Sequence, residues 1–186
     1  MFLFAHTLIS TSVAIAMTVL INPANAETVK TEATNHISQT HKPVGAMQTA
    51  QTKPQLELQV YKSPTCQCCE KWLNHIDQHG FISTAHNQTG LSTFKAEQGI
   101  APQYRSCHTA ISAAGYIFEG HVPAKFIHQF LAKPPKNAIG LAVPAMPIGS
   151  PGMEVADKFM PYQVLLLNAD GSDEVYAEIN RYQEQF

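Results

Sequence analysis

Three cysteines fall within four residues, Cys66-Gln67-Cys68-Cys69, and the one other cysteine in the chain is Cys107. A cysteine acts as a metal ligand or redox nucleophile through its thiolate. Thiolates packed this tightly are suited to bridging ions, and soft sulfur donors select Cu(I). Zinc also accepts four thiolates, but structural zinc sites usually draw on two spaced ligand pairs. Iron–sulfur clusters use four cysteines too, and the exported location argued below disfavours them. Structural disulfides are the plainest alternative for an exported chain. Of the pairings open to four cysteines, one needs a Cys68–Cys69 bond and another a Cys66–Cys68 bond, both awkward for disulfide geometry. Cys66–Cys69 with Cys68–Cys107 is the comfortable one, yet loops that short gain little entropy from closure. A metal or redox site is the stronger reading, with copper as the expected cofactor, held in a cluster of several ions.

The elements that would position these sulfurs are readable around them. Leu56 to Tyr61 alternates apolar and polar residues, the period of a half-buried strand. Ser63-Pro64-Thr65 breaks it. Cys69, Trp72, Leu73 and Ile76 then recur on one helical face, with Trp72 as helix core and Gly80 as the stop. A strand from Phe81 to His86, a short helix from Leu91 to Gln98, and strands at His108–Ser112 and Tyr116–Glu119 follow. Pro123 opens a further helix through Phe126, Ile127, Phe130 and Leu131, ended by Lys133-Pro134-Pro135. A Pro- and Gly-rich stretch runs from Asn137 to Gly152. A hairpin closes the chain, Tyr162–Leu167 and Glu174–Ile179 around Asn168-Ala169-Asp170-Gly171.

The order of elements from 56 to 133 is that of a thioredoxin-like domain, so the expected class is α/β, with residues 134–186 as a C-terminal extension containing the hairpin. In that fold the first, second and fourth strands run parallel and the third against them. Cys66, Cys68, Cys69, His86, Cys107, His108 and His121 then share one edge of the sheet. The trio also stands at a helix N-terminus, where unpaired N–H groups and the helix dipole favour thiolate. Lys62 and Lys71 are candidates to add positive charge. His86, His108 and His121 are candidate imidazole ligands. Met146 and Met153, in the Pro- and Gly-rich stretch, are candidate thioether ligands.

Four blocks together resemble the CopG-type copper-resistance family. They are Tyr61-Lys-Ser-Pro-Thr-Cys66-Gln-Cys-Cys69, Ser106-Cys-His-Thr109, Glu119-Gly-His-Val-Pro123, and Gly140-Leu-Ala-Val-Pro144 with Met146-Pro-Ile-Gly-Ser-Pro-Gly-Met-Glu154. The resemblance spans about residues 56 to 180. It implies a periplasmic thioredoxin-like protein with a C-terminal extension, a copper cluster bridged by cysteine sulfurs, and interconversion of Cu(I) and Cu(II). Copper ions are the expected partners, with a periplasmic efflux or carrier protein for copper beside them, and a monomer is the expected state. Two other functions use the same residues. One is a metal-free thiol–disulfide oxidoreductase with Cys66 as nucleophile and Cys69 as resolver. Against it, Ser106-Cys107-His108 stands where such enzymes carry a proline before the third strand. The other is a copper carrier or store without turnover.

The remaining sequence sets the location and excludes other classes. Leu8 to Ile21 is almost wholly apolar or small and is followed by Asn22-Pro23-Ala24-Asn25-Ala26, the pattern of a signal peptide cut after Ala26. The leading segment carries His6 and no Lys or Arg, a departure from the usual charged start. Residues 27–55 lack aromatics and read as a flexible polar tether. Its His36, His41 and Met47 are ordinary linker residues on this reading. A net charge of −2 over 186 residues offers no footprint for nucleic acid or an anionic membrane. Nothing resembles a hydrolase nucleophile elbow or a catalytic carboxylate pair.

Overall fold

A computed structural model describes residues 56–186; the expected signal peptide and tether lie outside the described residues. Strand β1 (Leu56–Lys62) buries Leu58, Val60 and Lys62 in alternation, the period-two pattern of its sequence. Helix α1 (Gln67–Gln78) buries Cys69, Trp72, Leu73 and Ile76, the face expected from their spacing. Strand β2 (Phe81–Asn87), helix α2 (Leu91–Glu97), strands β3 (His108–Ser112) and β4 (Ile117–Gly120) and helix α3 (Ala124–Ala132) follow. The expected elements are therefore present, with ends shifted by one or two residues.

The stretch after α3 departs from expectation. Ala138–Val143 forms a strand, β5, inside what reads as a Pro- and Gly-rich loop. It pairs parallel to β4, with Ile117 opposite Gly140 and Gly120 opposite Val143. Gly140 permits the approach, since a Cβ there would lie 1.7 Å from the Ile117 carbonyl oxygen. Strands β6 (Tyr162–Asn168) and β7 (Asp173–Ile179) form the expected hairpin, and β6 pairs antiparallel to β5. The result is one seven-stranded sheet in the order β2-β1-β3-β4-β5-β6-β7. Within it β1 is parallel to β2 and antiparallel to β3, and β3 is antiparallel to β4. The sheet thus runs unbroken across the boundary at 133/134.

The main core joins α1 and α3 to the sheet through Trp72, Ile76, Phe118, Ile127, Phe130, Leu141 and Val164. Ile100 and Tyr104 pack with Ile117, Ala142 and Leu167 in a separate, smaller core. Phe118 serves one core and Ile117 the other because neighbouring strand residues face opposite sides. Trp72 is fully buried, and its indole N–H donates to the Val122 carbonyl at 2.9 Å. That bond ties the helix carrying three cysteines to the turn carrying His121. No helix among the described residues is long and apolar enough to cross a membrane.

Candidate metal centre

Cys66 stands at the N-cap of α1 in an extended conformation, and Cys68 and Cys69 occupy the first turn. Cys66 and Cys69 are joined by a disulfide, with Cα atoms 5.3 Å apart. Cys68 and Cys107 are free and half-buried. The Cys68 sulfur lies 3.5 Å from that of Cys66 and 3.8 Å from that of Cys107. The four sulfurs therefore meet within 4.8 Å of one another, although Cys107 comes from the residue just before β3.

Cys107 also belongs to a second group, with His108 and His121. Its sulfur is 3.2 Å from Nδ1 of His108 and 3.0 Å from Nε2 of His121. His121 Nδ1–H donates to the Pro151 carbonyl at 2.7 Å, which turns the Nε2 lone pair toward the sulfur. His108 is fully buried against Trp72, with ring centroids 4.3 Å apart, and its Nε2 has no hydrogen-bond partner. Burial sets the protonation of this group. It pushes the Cys107 thiol up to about 12, helped by the neighbouring Cys68. It holds His108 well below the usual imidazole range, with His121 adding to the effect, and it lowers His121 as well. At neutral pH the group is a thiol beside two neutral imidazoles, and an arriving cation would displace the thiol proton.

The C-terminal residues wall the site. Pro151 and Gly152 are buried, and a Cβ on Gly152 would lie 2.7 Å from the Cys68 carbonyl oxygen and 2.8 Å from the Trp72 nitrogen. Its φ of +88° also favours glycine, so this loop rests directly on the first turn of α1. Half-buried Met153 is the next residue, and exposed Met146 follows Ala145, whose carbonyl accepts from the Ser106 hydroxyl beside Cys107. Both methionines thus sit in segments held against the site.

His86 is not brought in. Its strand position pairs with Tyr61 as the shared edge requires. Its ring instead bonds Gln59 Oε1 at 2.7 Å and stacks on Tyr61, outside both donor groups. Lys62 is engaged by Glu70 at 2.6 Å and Asn87 at 3.2 Å. Sequence reasoning missed one further feature. Glu119, inside strand β4, pairs with Lys95 of α2 directly behind Cys107. A charged residue following Ile117-Phe118 in an apolar strand was the only signal for it.

Two solved chains match this one, both of copper resistance protein CopG, in a first and a second form. Each is 38% identical, and the match covers 67% of this chain and 98% of the other, with TM-scores of 0.63 and 0.64. The chain belongs to the CopG copper-resistance family. A family model described as a protein of unknown function, DUF411, matches residues 104–153. That span holds Cys107, His108, His121, Met146 and Met153, so the part of the CopG pattern it captures is the half remote from Cys66-Gln67-Cys68-Cys69. No curated protein sequence matches the chain.

Proposed function

We propose that this protein is an exported, periplasmic copper-binding redox protein of a copper-resistance system, interconverting Cu(I) and Cu(II) at a cysteine-bridged site. The observation that carries the reading is the meeting of two donor sets on Cys107, one of four sulfurs and one of a sulfur with two imidazoles. The sulfur set fits Cu(I) by softness, while imidazole is a good ligand for Cu(II). Copper brings a one-electron couple, and the chain supplies neighbouring ligands suited to each charge. Full loading requires the Cys66–Cys69 bond to open: an external dithiol would supply two electrons and two protons and itself become a disulfide, and the two thiols formed would lose their protons on binding copper. Pro151 keeps His121 oriented, and Met153 and Met146 are the candidate thioethers to complete coordination. Copper would pass onward to an efflux or carrier protein, with the chain acting as a monomer.

Zinc and copper separate in one measurement. Protein recovered from a copper-supplemented periplasm and kept reduced and anaerobic is expected to carry more than one copper ion per chain by elemental analysis. A single zinc ion per chain would overturn the proposal.

The closed Cys66–Cys69 bond favours a second reading, a thiol–disulfide oxidoreductase working through that pair. Ser106 and Cys107 stand where such an enzyme holds its substrate-binding proline, which is why the copper reading is preferred.

A further inference from the structure

Glu119 is fully buried and Lys95 nearly so, and their side chains form an ion pair. Taking both charges out of water is costly, and apolar replacements of such pairs are often neutral or stabilising. Stability alone is a weak reason for keeping this pair. Its hydrogen bonds suggest a better one. Glu119 Oε1 accepts from the Ser106 backbone N–H at 2.6 Å as well as from Lys95. Glu119 Oε2 accepts from the Thr109 hydroxyl at 2.6 Å, and Lys95 donates to that same hydroxyl at 3.0 Å.

Ser106 and Thr109 are the residues on either side of Cys107-His108. The carboxylate therefore grips both ends of the dipeptide that contributes to the two donor groups. Gly120 completes the grip from below: its φ is +73°, and a Cβ there would lie 2.5 Å from the Ser106 Cβ. His121 follows on the same stretch of chain. On the reading that copper is bound here, we infer that Glu119, with Lys95 as counter-ion, is a positioning residue that fixes Cys107 and His108 opposite the helix cysteines. It touches neither sulfur nor imidazole, and acts through the backbone that carries them.

Two double variants separate this role from a merely structural one. Glu119→Leu with Lys95→Met removes both charges and the grip. Glu119→Gln with Lys95→Met removes both charges, but the amide can still accept from Ser106 and donate to Thr109. The first readout needs no copper. In a Cys66→Ser, Cys69→Ser background, diamide should close the Cys68–Cys107 bond, whose sulfurs start 3.8 Å apart. Misplacing reacting groups by about an ångström costs up to a hundredfold in rate, so the Leu/Met pair should slow closure roughly tenfold or more. The Gln/Met pair should stay near the parent rate. The second readout, with all four cysteines and copper bound, is the absorption spectrum and midpoint potential, shifted in the Leu/Met pair and parent-like in the Gln/Met pair.

A folded Leu/Met variant with the parent's closure rate, spectrum and potential would overturn the inference. So would a Gln/Met variant as impaired as the Leu/Met one. Should the Leu/Met chain not fold, Thr109→Val removes one of the two grips, and an unchanged closure rate there overturns the inference equally. A parent that binds no copper would refute the proposed function, while the closure rates would still judge Glu119.

Discussion

Exchanging the Cys107 sulfur for oxygen barely changes its volume but removes the one atom shared by both donor groups. Cys107→Ser is therefore expected to fold like the parent and to lose copper affinity by at least about tenfold, or ~1.4 kcal/mol. Elemental analysis and the spectrum of the loaded protein test this; parent values would remove Cys107 from the ligand set. Cys68 separates the two functional readings. In a dithiol oxidoreductase the Cys66–Cys69 pair suffices, and Cys68→Ala leaves disulfide exchange intact. In a copper–thiolate site Cys68→Ala removes a shared ligand, so copper content and copper redox cycling should fall while insulin reduction stays weak in both proteins. Strong insulin reduction by the parent, unaffected by Cys68→Ala and independent of copper, would decide for the oxidoreductase. The cysteines were legible in sequence because their spacing and the strand order alone bring them to one edge. The histidines were only half legible. His86 and His121 have equal claims from position, and the difference lies in partners no pattern reveals: Gln59 and Tyr61 engage one ring, and Pro151 aims the other.

Helix α3 begins after Pro123, which offers no side chain to cap it. The cap comes instead from α1, whose His75 Nε2 accepts the Ala124 N–H at 3.1 Å. Burial, and then the nearby His79, lower His75 from the usual 6.5 to about 4. Between those values the unfolded chain binds a proton that the native protein refuses, so stability is full above pH 6.5 and falls as pH drops toward 4. His108 and His121 are also lowered, and they pull in the same direction. His75→Phe should lose the hydrogen bond, about 1 kcal/mol at pH 7, and show a shallower decline between pH 7 and 5 in urea titrations. An equally steep decline would mean that folding does not lower the His75 pKa. Element by element, α1 was easily read because four apolar residues keep a helical spacing over eight positions. Strand β5 was not, since Gly140 interrupts a six-residue run bordered by prolines. Its reason to be a strand is the open edge of β4, which becomes evident only once the chain has folded. The Lys95–Glu119 pair escaped notice for a similar cause, because packing of α2 against the sheet joins residues 24 apart.

For the whole chain, every donor proposed for copper lies between Cys66 and Met153, well inside the described residues. Protein trimmed to Leu56–Phe186 should accordingly match the parent in copper content, spectrum and melting temperature. A loss of copper on trimming would assign ligands to the histidines or methionine of residues 27–55. Mass analysis of protein taken from the periplasm should find Glu27 as the first residue; a mass including residues 1–26 would contradict signal cleavage. The strand β5 also has a meaning for how such a protein can be altered by evolution or by engineering. Because it lies along β4, a gene shortened after codon 133 would encode a four-stranded sheet with bare amides and carbonyls along one flank. Such a product would recruit copies of itself through that flank before any weakness in metal handling was felt. Residues 134–186 thus cover the edge that the preceding segment would otherwise leave open.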